Sequence, residues 1–308
     1  MCTASLPDPA IDPAKDEEPS DHFNTILYTA NGTASRSITG VGFQPDWLWV
    51  KSRSATYYHG LWDSVRTNKS ALYSNATDAE DTSTAGTLGS LDADGFTTPN
   101  VSGGGFINIG STTYVAWNWL AGGSASSNSN GSITSSVSAN TEAGFSIVSY
   151  TGNATAGATV GHGLSSTPEM YIVKSRSLTT AWVTYHKDAA ASPEDGYLVL
   201  NDDDAFFDTV VWNDTAPTST VFSLGGSGYS SNNSGATYIA YCFHSVDGYS
   251  KVGAYTSTNS TDGPLVLTGF RPAWVMVKNA TTGGSNYNWT VYDNKRSPSN
   301  PVSLQLEP

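Results

Sequence analysis

The chain has 308 residues, which is enough for two or three domains that each bury a core of their own. Its 14 Lys and Arg against 27 Asp and Glu give a formal net charge of -13, which argues against nucleic acid and anionic membranes as partners. The two cysteines, Cys2 and Cys242, supply neither a disulfide framework nor zinc-ligand spacing. No apolar stretch is long enough to insert into a membrane.

Residues 1–22 differ in kind from the rest of the chain. Prolines stand at positions 7, 9, 13 and 19, and an acidic run covers residues 16–18. This composition predicts an extended N-terminal arm, either an ordinary disordered terminus or a docking peptide that anchors the protein to a larger assembly. The arm lacks the basic start and apolar core of a signal peptide, so synthesis in the cytoplasm is expected.

Three later stretches resemble one another. They begin at Phe23 (FNTILYTANG, then GFQPDWLWVKSRS), at Phe145 (FSIVSYTGNA, then STPEMYIVKSRS) and near Lys251 (KVGAYTSTNS, then GFRPAWVMVKNA). A lysine follows the central proline of each copy by the same six residues; these lysines are Lys51, Lys174 and Lys278. Self-similarity at fixed spacing predicts tandem copies of one module.

The first two copies continue in parallel, with ALYSNATD beside YLVLNDDD and TYVAWNWLAGG beside TYIAYCFHSVDG. The third copy stops after Arg296 and lacks this second half. The predicted organisation is an arm (1–22), module 1 (23–143), module 2 (144–250) and a partial third module with a C-terminal tail (251–308). Module 1 includes a linker over 122–143, and the Ser/Asn/Gly-rich start of this linker, 122–130, is expected to be flexible.

Short alternating runs separated by turn signals indicate strands rather than helices. In TYVAWNWLA, Val115, Trp117 and Trp119 fall on one face of a strand, and Tyr114 and Ala116 fall on the other. The pattern is typical of half-buried strands, with seven or eight antiparallel strands per module. The predicted fold class is all-β, built of tandem antiparallel β-sandwich modules, jelly-roll-like, with the extended arm in front.

The residue types that carry catalysis are not shared between the copies. His162, His186 and His244 each stand where the other copies hold other residue types, and Cys242 lies in an apolar run that favours a space-filling role. No pair of carboxylates is placed for glycoside cleavage. The run Asp202–Asp204 suits either a turn or a calcium ion, and its match to residues 76–78 of the first copy favours the turn. The prediction is therefore a protein that is not an enzyme, with no cofactor and no metal.

Aromatic side chains in loops are the remaining candidates for a binding surface. Tyr57, Tyr58, His59 and Tyr287 lie outside the predicted strands, where an aromatic ring is free to contact a sugar. They are the predicted surface-binding residues.

Several of the quoted phrases resemble a known module. SITGVGFQPDWLWVKSRS, YVAWNWLAGG, GSITSSVSANTEAGFSIVSYTGN, YIAYCFHSVDGYSKVG and GFRPAWVMVKN are similar to a repeated module of uncharacterised function in virion proteins of tailed bacteriophages, especially those of marine bacteria and cyanobacteria. The resemblance covers the chain from about His22 to Arg296. It implies a location in the virion and carries no catalytic residues with it.

The resemblance implies a phage structural protein of the tail-fibre or appendage kind. Residues 1–22 would dock on other virion proteins, the modules would contact a host-surface glycan, and copies would assemble as a homotrimer by analogy with other appendages. A capsid decoration or head-fibre protein is the alternative, followed by a glycan-degrading enzyme or a bacterial adhesin. The sequence leaves the receptor, the oligomeric state and the reason for the short third copy open.

Overall fold

The computed structural model of the protein describes residues 11, 16–66, 69–260, 262–299, 302 and 304–307. These residues form antiparallel sheets and two single-turn 3-10 helices, Pro19–Asp21 and Pro193–Asp195, so the predicted all-β sandwich class is confirmed. Most of the predicted arm, residues 1–10 and 12–15, lies outside the described residues. Within the described part of the chain, no helix is long and apolar enough to cross a bilayer.

The first repeat is a sandwich of two sheets. Its strands are β1 (Phe23–Thr29), β2 (Ser37–Thr39), β3 (Trp47–Ser52), β4 (Gly60–Asp63), β5 (Leu72–Tyr73), β6 (Ser90–Asp92), β7 (Gly95–Thr97) and β8 (Thr113–Trp119). One sheet has the order β1-β8-β3-β4-β5 and the other β2-β7-β6. Tyr28, Leu48 and Trp62 from the first sheet meet Ile38 and Phe96 from the second in a buried core.

The second repeat has the same plan. Its strands are β11 (Phe145–Thr151), β12 (Ala158–Gly161), β13 (Met170–Ser175), β14 (Val183–His186), β15 (Gly196–Val199), β16 (Phe207–Asp208), β17 (Val221–Leu224) and β18 (Thr237–Phe243). The order β11-β18-β13-β14-β15 repeats β1-β8-β3-β4-β5, and β12 pairs with β17 as β2 pairs with β7. Tyr150 stacks on Tyr238 at 5.1 Å between ring centroids, as Tyr28 stacks on Tyr114 at 5.2 Å.

The segment between these repeats corrects the predicted linker over 122–143. It contains β9 (Ser126–Asn128) and β10 (Ser135–Asn140), and β10 pairs with β11, so the second repeat gains two strands at the edge of its large sheet. Val137 on β10 is buried against the core of the second repeat. Ser- and Asn-rich composition suggested flexibility, but burial of one apolar face and pairing with an open sheet edge order the segment.

The third repeat contributes a two-stranded sheet, β19 (Trp274–Val277) and β20 (Thr290–Asp293), at the positions of β3 and β4. The tail extends this sheet, because Leu306 forms a backbone bridge to Val291. Leu72 of β5 occupies the same place beside Leu61 of β4 in the first repeat. The third copy therefore continues beyond its predicted end at Arg296 and replaces β5 with tail residues that the sequence did not reveal.

A core shared by all three repeats lies between the large sheets. Trp47, Trp117 and Trp119 of the first repeat pack there with residues of the second repeat, such as Tyr241, and of the third, such as Trp289. The indole of Trp47 stacks on the ring of Tyr241 at 4.3 Å. As a result β8 is buried on both faces along nearly its whole length, whereas alternation alone predicted one buried face.

Candidate functional site

The repeats contact one another through a tryptophan at an equivalent position. Nε1 of Trp182, the residue before β14, donates a 2.8 Å hydrogen bond to the carbonyl of Tyr73 at the end of β5. Nε1 of Trp289, the residue before β20, donates a 2.8 Å bond to the carbonyl of Val199 at the end of β15. The second repeat thus binds the first, and the third repeat binds the second, by the same contact.

The first repeat has His59 at the position of these tryptophans, the residue before β4. The short strand it faces is supplied by the tail of the third repeat, and an arginine found in both the first and the third repeat identifies the match. Nη1 of Arg66 donates to the carbonyl of Ser70 just before β5, and Nη1 of Arg296 donates to the carbonyl of Leu304 just before Leu306. The three repeats therefore close a ring, and His59 stands at its third junction.

A cleft of about 220 Å³ opens at this third junction. Its lining comes from all three repeats: His59, Asn75, Leu200, Asn201, Asp202, Asn288, Trp289 and Glu307. At the other two junctions an indole crosses the space between the repeats. The imidazole of His59 is smaller than an indole, so the junction that carries His59 retains a polar cleft.

The asparagines of the cleft also have a defined place in the repeat. Oδ1 of Asn75 accepts a 3.0 Å hydrogen bond from the backbone N–H of His59, and Oδ1 of Asn201 accepts a 2.8 Å bond from the backbone N–H of Trp182. Each amide follows the short strand of its repeat. Because a primary amide has two N–H donors and two acceptor lone pairs, both side chains keep hydrogen-bonding capacity for a ligand.

The shared lysines face carboxylates of a neighbouring repeat in the same cyclic order. Burial lowers the pKa of Lys278, and the carboxylates of Asp203, Asp204 and Asp202 act in the opposite direction. Burial likewise lowers the pKa of Lys51, and Glu307 opposes the shift. The run Asp202–Asp204 thus lies at the border between the second and third repeats.

Lys174 of the second repeat completes this series. Burial lowers its pKa to about 8, and Asp78 and Glu80 of the first repeat oppose the shift. Its Nζ donates to the carbonyls of Ser175, at 2.7 Å, and Leu178, at 3.3 Å. The six-residue spacing from proline to lysine therefore places each lysine where carboxylates of a neighbouring repeat influence its pKa.

The predicted surface residues are divided between the cleft and its surroundings. His59 is buried and lines the cleft, while Tyr57 is half-buried against the core of the first repeat. Tyr58 is exposed and stacks on Tyr73 at 4.4 Å. Tyr287 is exposed beside Asn288, and its carbonyl accepts a 2.7 Å hydrogen bond from Nζ of Lys278.

Sequence reasoning missed four polar residues that line the cleft: Asn75, Asn201, Asn288 and Glu307. The signal for the first two was present, because ALYSNATD and YLVLNDDD align the two asparagines. Asn288 and Glu307 had no such signal, since the third copy departs from the others in the loop between β19 and β20 and again after β20.

His162 is hydrogen-bonded within the fold, and the thiol of Cys242 is buried in the core of the second repeat. Nε2 of His162 lies 3.1 Å from the carbonyl of Thr218, and Nδ1 accepts a 3.1 Å bond from the N–H of Leu164, so both ring nitrogens are engaged within the fold. Burial raises the pKa of the Cys242 thiol to about 12, so it stays protonated near neutral pH and is a poor nucleophile.

A family model described as a domain of unknown function (DUF7483) matches residues 18–308, which span all three repeats. No curated protein and no solved structure matches the chain. The match treats the three repeats as one unit, in agreement with a core that all three share.

Proposed function

The chain belongs to the DUF7483 family, and we propose that it is a non-enzymatic structural protein of a phage virion that attaches the particle to a host-surface glycan. The resemblance of its repeats to modules of tailed-phage virion proteins supports the location. In this proposal residues 1–22 dock on other virion proteins, and copies assemble as a homotrimer on a tail appendage.

The observation that carries glycan binding is the cleft at the junction with His59. Three primary amides and two carboxylates converge there beside imidazole and indole rings. Amides and carboxylates bind vicinal hydroxyls well, because an amide offers a donor beside an acceptor and a carboxylate offers two acceptors, at the spacing of adjacent hydroxyl groups. A volume of about 220 Å³ is below the usual range for drug-sized ligands and suits a single sugar ring.

The negative charge of the cleft favours a neutral sugar over an acidic one. Asp202 and Glu307 place two carboxylates in the cleft, and the whole chain carries a net charge of -13. A sialic or uronic acid would be repelled, whereas the hydroxyls of a neutral hexose donate hydrogen bonds to carboxylates. The proposed ligand is therefore a neutral glycan, bound weakly at each site and strengthened by many copies on one particle.

The direct test is ligand-detected NMR with methyl glycosides of glucose, galactose and mannose, and with sialic acid as the anionic comparison. We expect saturation transfer to at least one neutral glycoside and none to sialic acid. Asp202→Asn and Asn288→Ala should each weaken binding about tenfold, which corresponds to the loss of one hydrogen bond to a charged or polar group.

Asp214→Asn is the matched control, because Asp214 is an exposed carboxylate outside the cleft and its positive φ of 46° suits asparagine. It should leave binding unchanged. Glycan recognition at this cleft would be overturned if none of the neutral sugars bound. It would also be overturned if Asp214→Asn and Asp202→Asn lost binding equally.

Location on the particle requires a separate experiment. Reconstruction of intact particles by electron microscopy should place a few copies in symmetric tail appendages. Hundreds of copies over the head lattice would contradict the attachment role and support capsid decoration. The resemblance to virion modules is equally compatible with that alternative.

A further inference from the structure

Tyr58 presents an aromatic ring that is both exposed and held in place. Its ring stacks on the ring of Tyr73, with 4.4 Å between the centroids and 22° between the planes. Tyr73 is 6% exposed, its ring meets Phe106 edge-on at 5.4 Å, and its hydroxyl donates a hydrogen bond to Asp81. Tyr58 itself is 49% exposed, so one face of its ring is fixed against Tyr73 while the other face is open to solvent.

The strand register of the first repeat places this ring beside the cleft. The antiparallel alignment of β4 with β5 continues beyond both strands, because the N–H of Ser74 donates a 3.1 Å hydrogen bond to the carbonyl of His59. At the next step Tyr58 lies across from Asn75, which lines the cleft. Opposite positions of an antiparallel pair have Cα atoms about 5 Å apart and side chains on the same face. The ring of Tyr58 therefore lies at the rim of the cleft.

The other two repeats lack this pair of tyrosines. The residue that matches Tyr58, just before the junction tryptophan, is Ala181 in the second repeat and Asn288 in the third. Val199 takes the place of Tyr73 in the second repeat, since it pairs with the first residue of β14 as Tyr73 pairs with the first residue of β4. Asn288 lines the cleft, so this position reaches the cleft from the third repeat as well. The stacked tyrosines thus belong to the repeat that carries His in place of the junction tryptophan.

We propose that Tyr58 forms a second sugar subsite, so that the ligand of the cleft is an oligosaccharide of at least two rings. This inference rests on the glycan binding proposed for the cleft. The cleft has room for a single ring, so the next ring of a longer glycan lies outside it. That ring stacks its C–H face on the open face of Tyr58, where both apolar surfaces are removed from water.

The stack on Tyr73 makes Tyr58 a better platform than a freely mobile side chain. Ordering a side chain on binding lowers affinity, and the ring of Tyr58 is already ordered before the ligand arrives. A tyrosine ring also offers a large flat contact area with few rotatable bonds. The contact needs no charged group, and it favours a ring with an unbroken face of C–H bonds over one in which an axial hydroxyl interrupts that face.

The test uses the full chain and compares each methyl glycoside with a disaccharide that has the same sugar at its non-reducing end: cellobiose for glucose, lactose for galactose and mannobiose for mannose. Affinities are measured by NMR titration. We expect the disaccharide of the preferred sugar to bind about fivefold to tenfold more tightly than its methyl glycoside, as one added ring contact provides. Saturation transfer should reach the C–H protons of both rings.

Three variants assign the gain to Tyr58, with the ratio of disaccharide to glycoside affinity as the readout. Tyr58→Ala should bring this ratio close to one, because the second ring loses its platform. Tyr58→Phe should keep the ratio, because the ring and not the hydroxyl makes the contact. Tyr255→Ala is the matched control, since Tyr255 is 52% exposed and does not line the cleft, and it should also keep the ratio. A merely structural role of Tyr58 would lower both affinities together and leave their ratio unchanged.

The subsite would be ruled out if disaccharides bound no more tightly than methyl glycosides, or if Tyr58→Ala kept the ratio of the unchanged protein. A ratio lost in Tyr58→Phe or in Tyr255→Ala would equally contradict stacking on Tyr58. In each of these cases the cleft stays a sugar site as long as methyl glycosides bind and Asp202→Asn weakens them. Absence of binding by glycosides and disaccharides alike would instead overturn the glycan proposal, and the subsite with it.

Discussion

The hydroxyl of Tyr241 donates a 2.8 Å hydrogen bond to Oδ2 of Asp63. Tyr241 lies on β18 of the second repeat and Asp63 ends β4 of the first, so the bond joins two repeats. Trp117 occupies the position of Tyr241 in the first repeat, and its Nε1 donates a 3.1 Å bond to Oδ2 of Asp293 in the third. The same contact thus recurs around the ring, in the cyclic direction of the Trp182 contact.

Tyr241→Phe should lower the free energy of unfolding by about 1–2 kcal/mol, because Asp63 loses a buried hydrogen-bond donor. Tyr171→Phe is the matched control. The hydroxyl of Tyr171 is buried and makes no hydrogen bond with any described residue, so its removal should be neutral or stabilising. Urea denaturation of both variants measures the difference, and equal losses would contradict a specific contribution from the Asp63 contact.

Arg66→Lys should destabilise the protein by about 2–4 kcal/mol. The buried guanidinium donates from Nε to Oδ2 of Asp63 at 2.6 Å and from Nη2 to the carbonyl of Leu61 at 2.9 Å. A lysine cannot reproduce this planar fork, so it leaves a buried acceptor unsatisfied. Arg53→Lys, the same change at an exposed position, should alter the unfolding free energy by less than about 0.5 kcal/mol.

His59→Trp should stabilise the protein by about 1–2 kcal/mol, because it fills the cleft with the side chain that the other two repeats carry. The reverse change, Trp289→His, should cost about 3 kcal/mol through loss of buried contacts and of the bond to Val199. Thermal unfolding of both variants checks the prediction. A destabilised His59→Trp would mean that the third junction, where His59 lies, is not equivalent to the other two.

Lys174 should make stability rise with pH. Its pKa is lowered to about 8 by burial, so the unfolded chain, with the ordinary lysine pKa near 10.5, binds more protons than the folded chain between these values. Stability from this group therefore increases as pH rises above 8, by about 2 kcal/mol up to pH 9.5.

Lys174→Met should remove that increase, measured as the difference between unfolding free energies at pH 7 and pH 9.5. Lys295→Met, which removes an exposed lysine, is the control and should retain it. An unchanged pH slope in Lys174→Met would contradict a deprotonating lysine at this site. Measurements stop at pH 9.5 because tyrosine ionisation in the unfolded chain begins to oppose the effect near pH 10.

The local pattern of residues was sufficient to predict the strands and to identify the repeat. Alternating apolar residues and the fixed spacing from proline to lysine in each copy, as from Pro45 to Lys51 in the first, predicted the equivalent strands β3, β13 and β19. Asn75 and Asn201 were aligned as well, since both follow a short strand of the same sequence type. The electrostatic influence of Asp203 on Lys278 was beyond sequence reasoning, because the two residues belong to different repeats.

The sequence by itself determined the all-β class, the number of copies and the register between them, because these depend on side-chain period and turn chemistry within each copy. Only the tertiary structure decided that the copies close a ring around one core, that Leu306 completes the third sheet and that His59 leaves a cleft. These features arise from contacts between residues far apart in the chain. The second face of each large-sheet strand packs against another repeat and stabilises the ring. The alternation of residues along a strand does not show whether that face contacts another repeat or solvent.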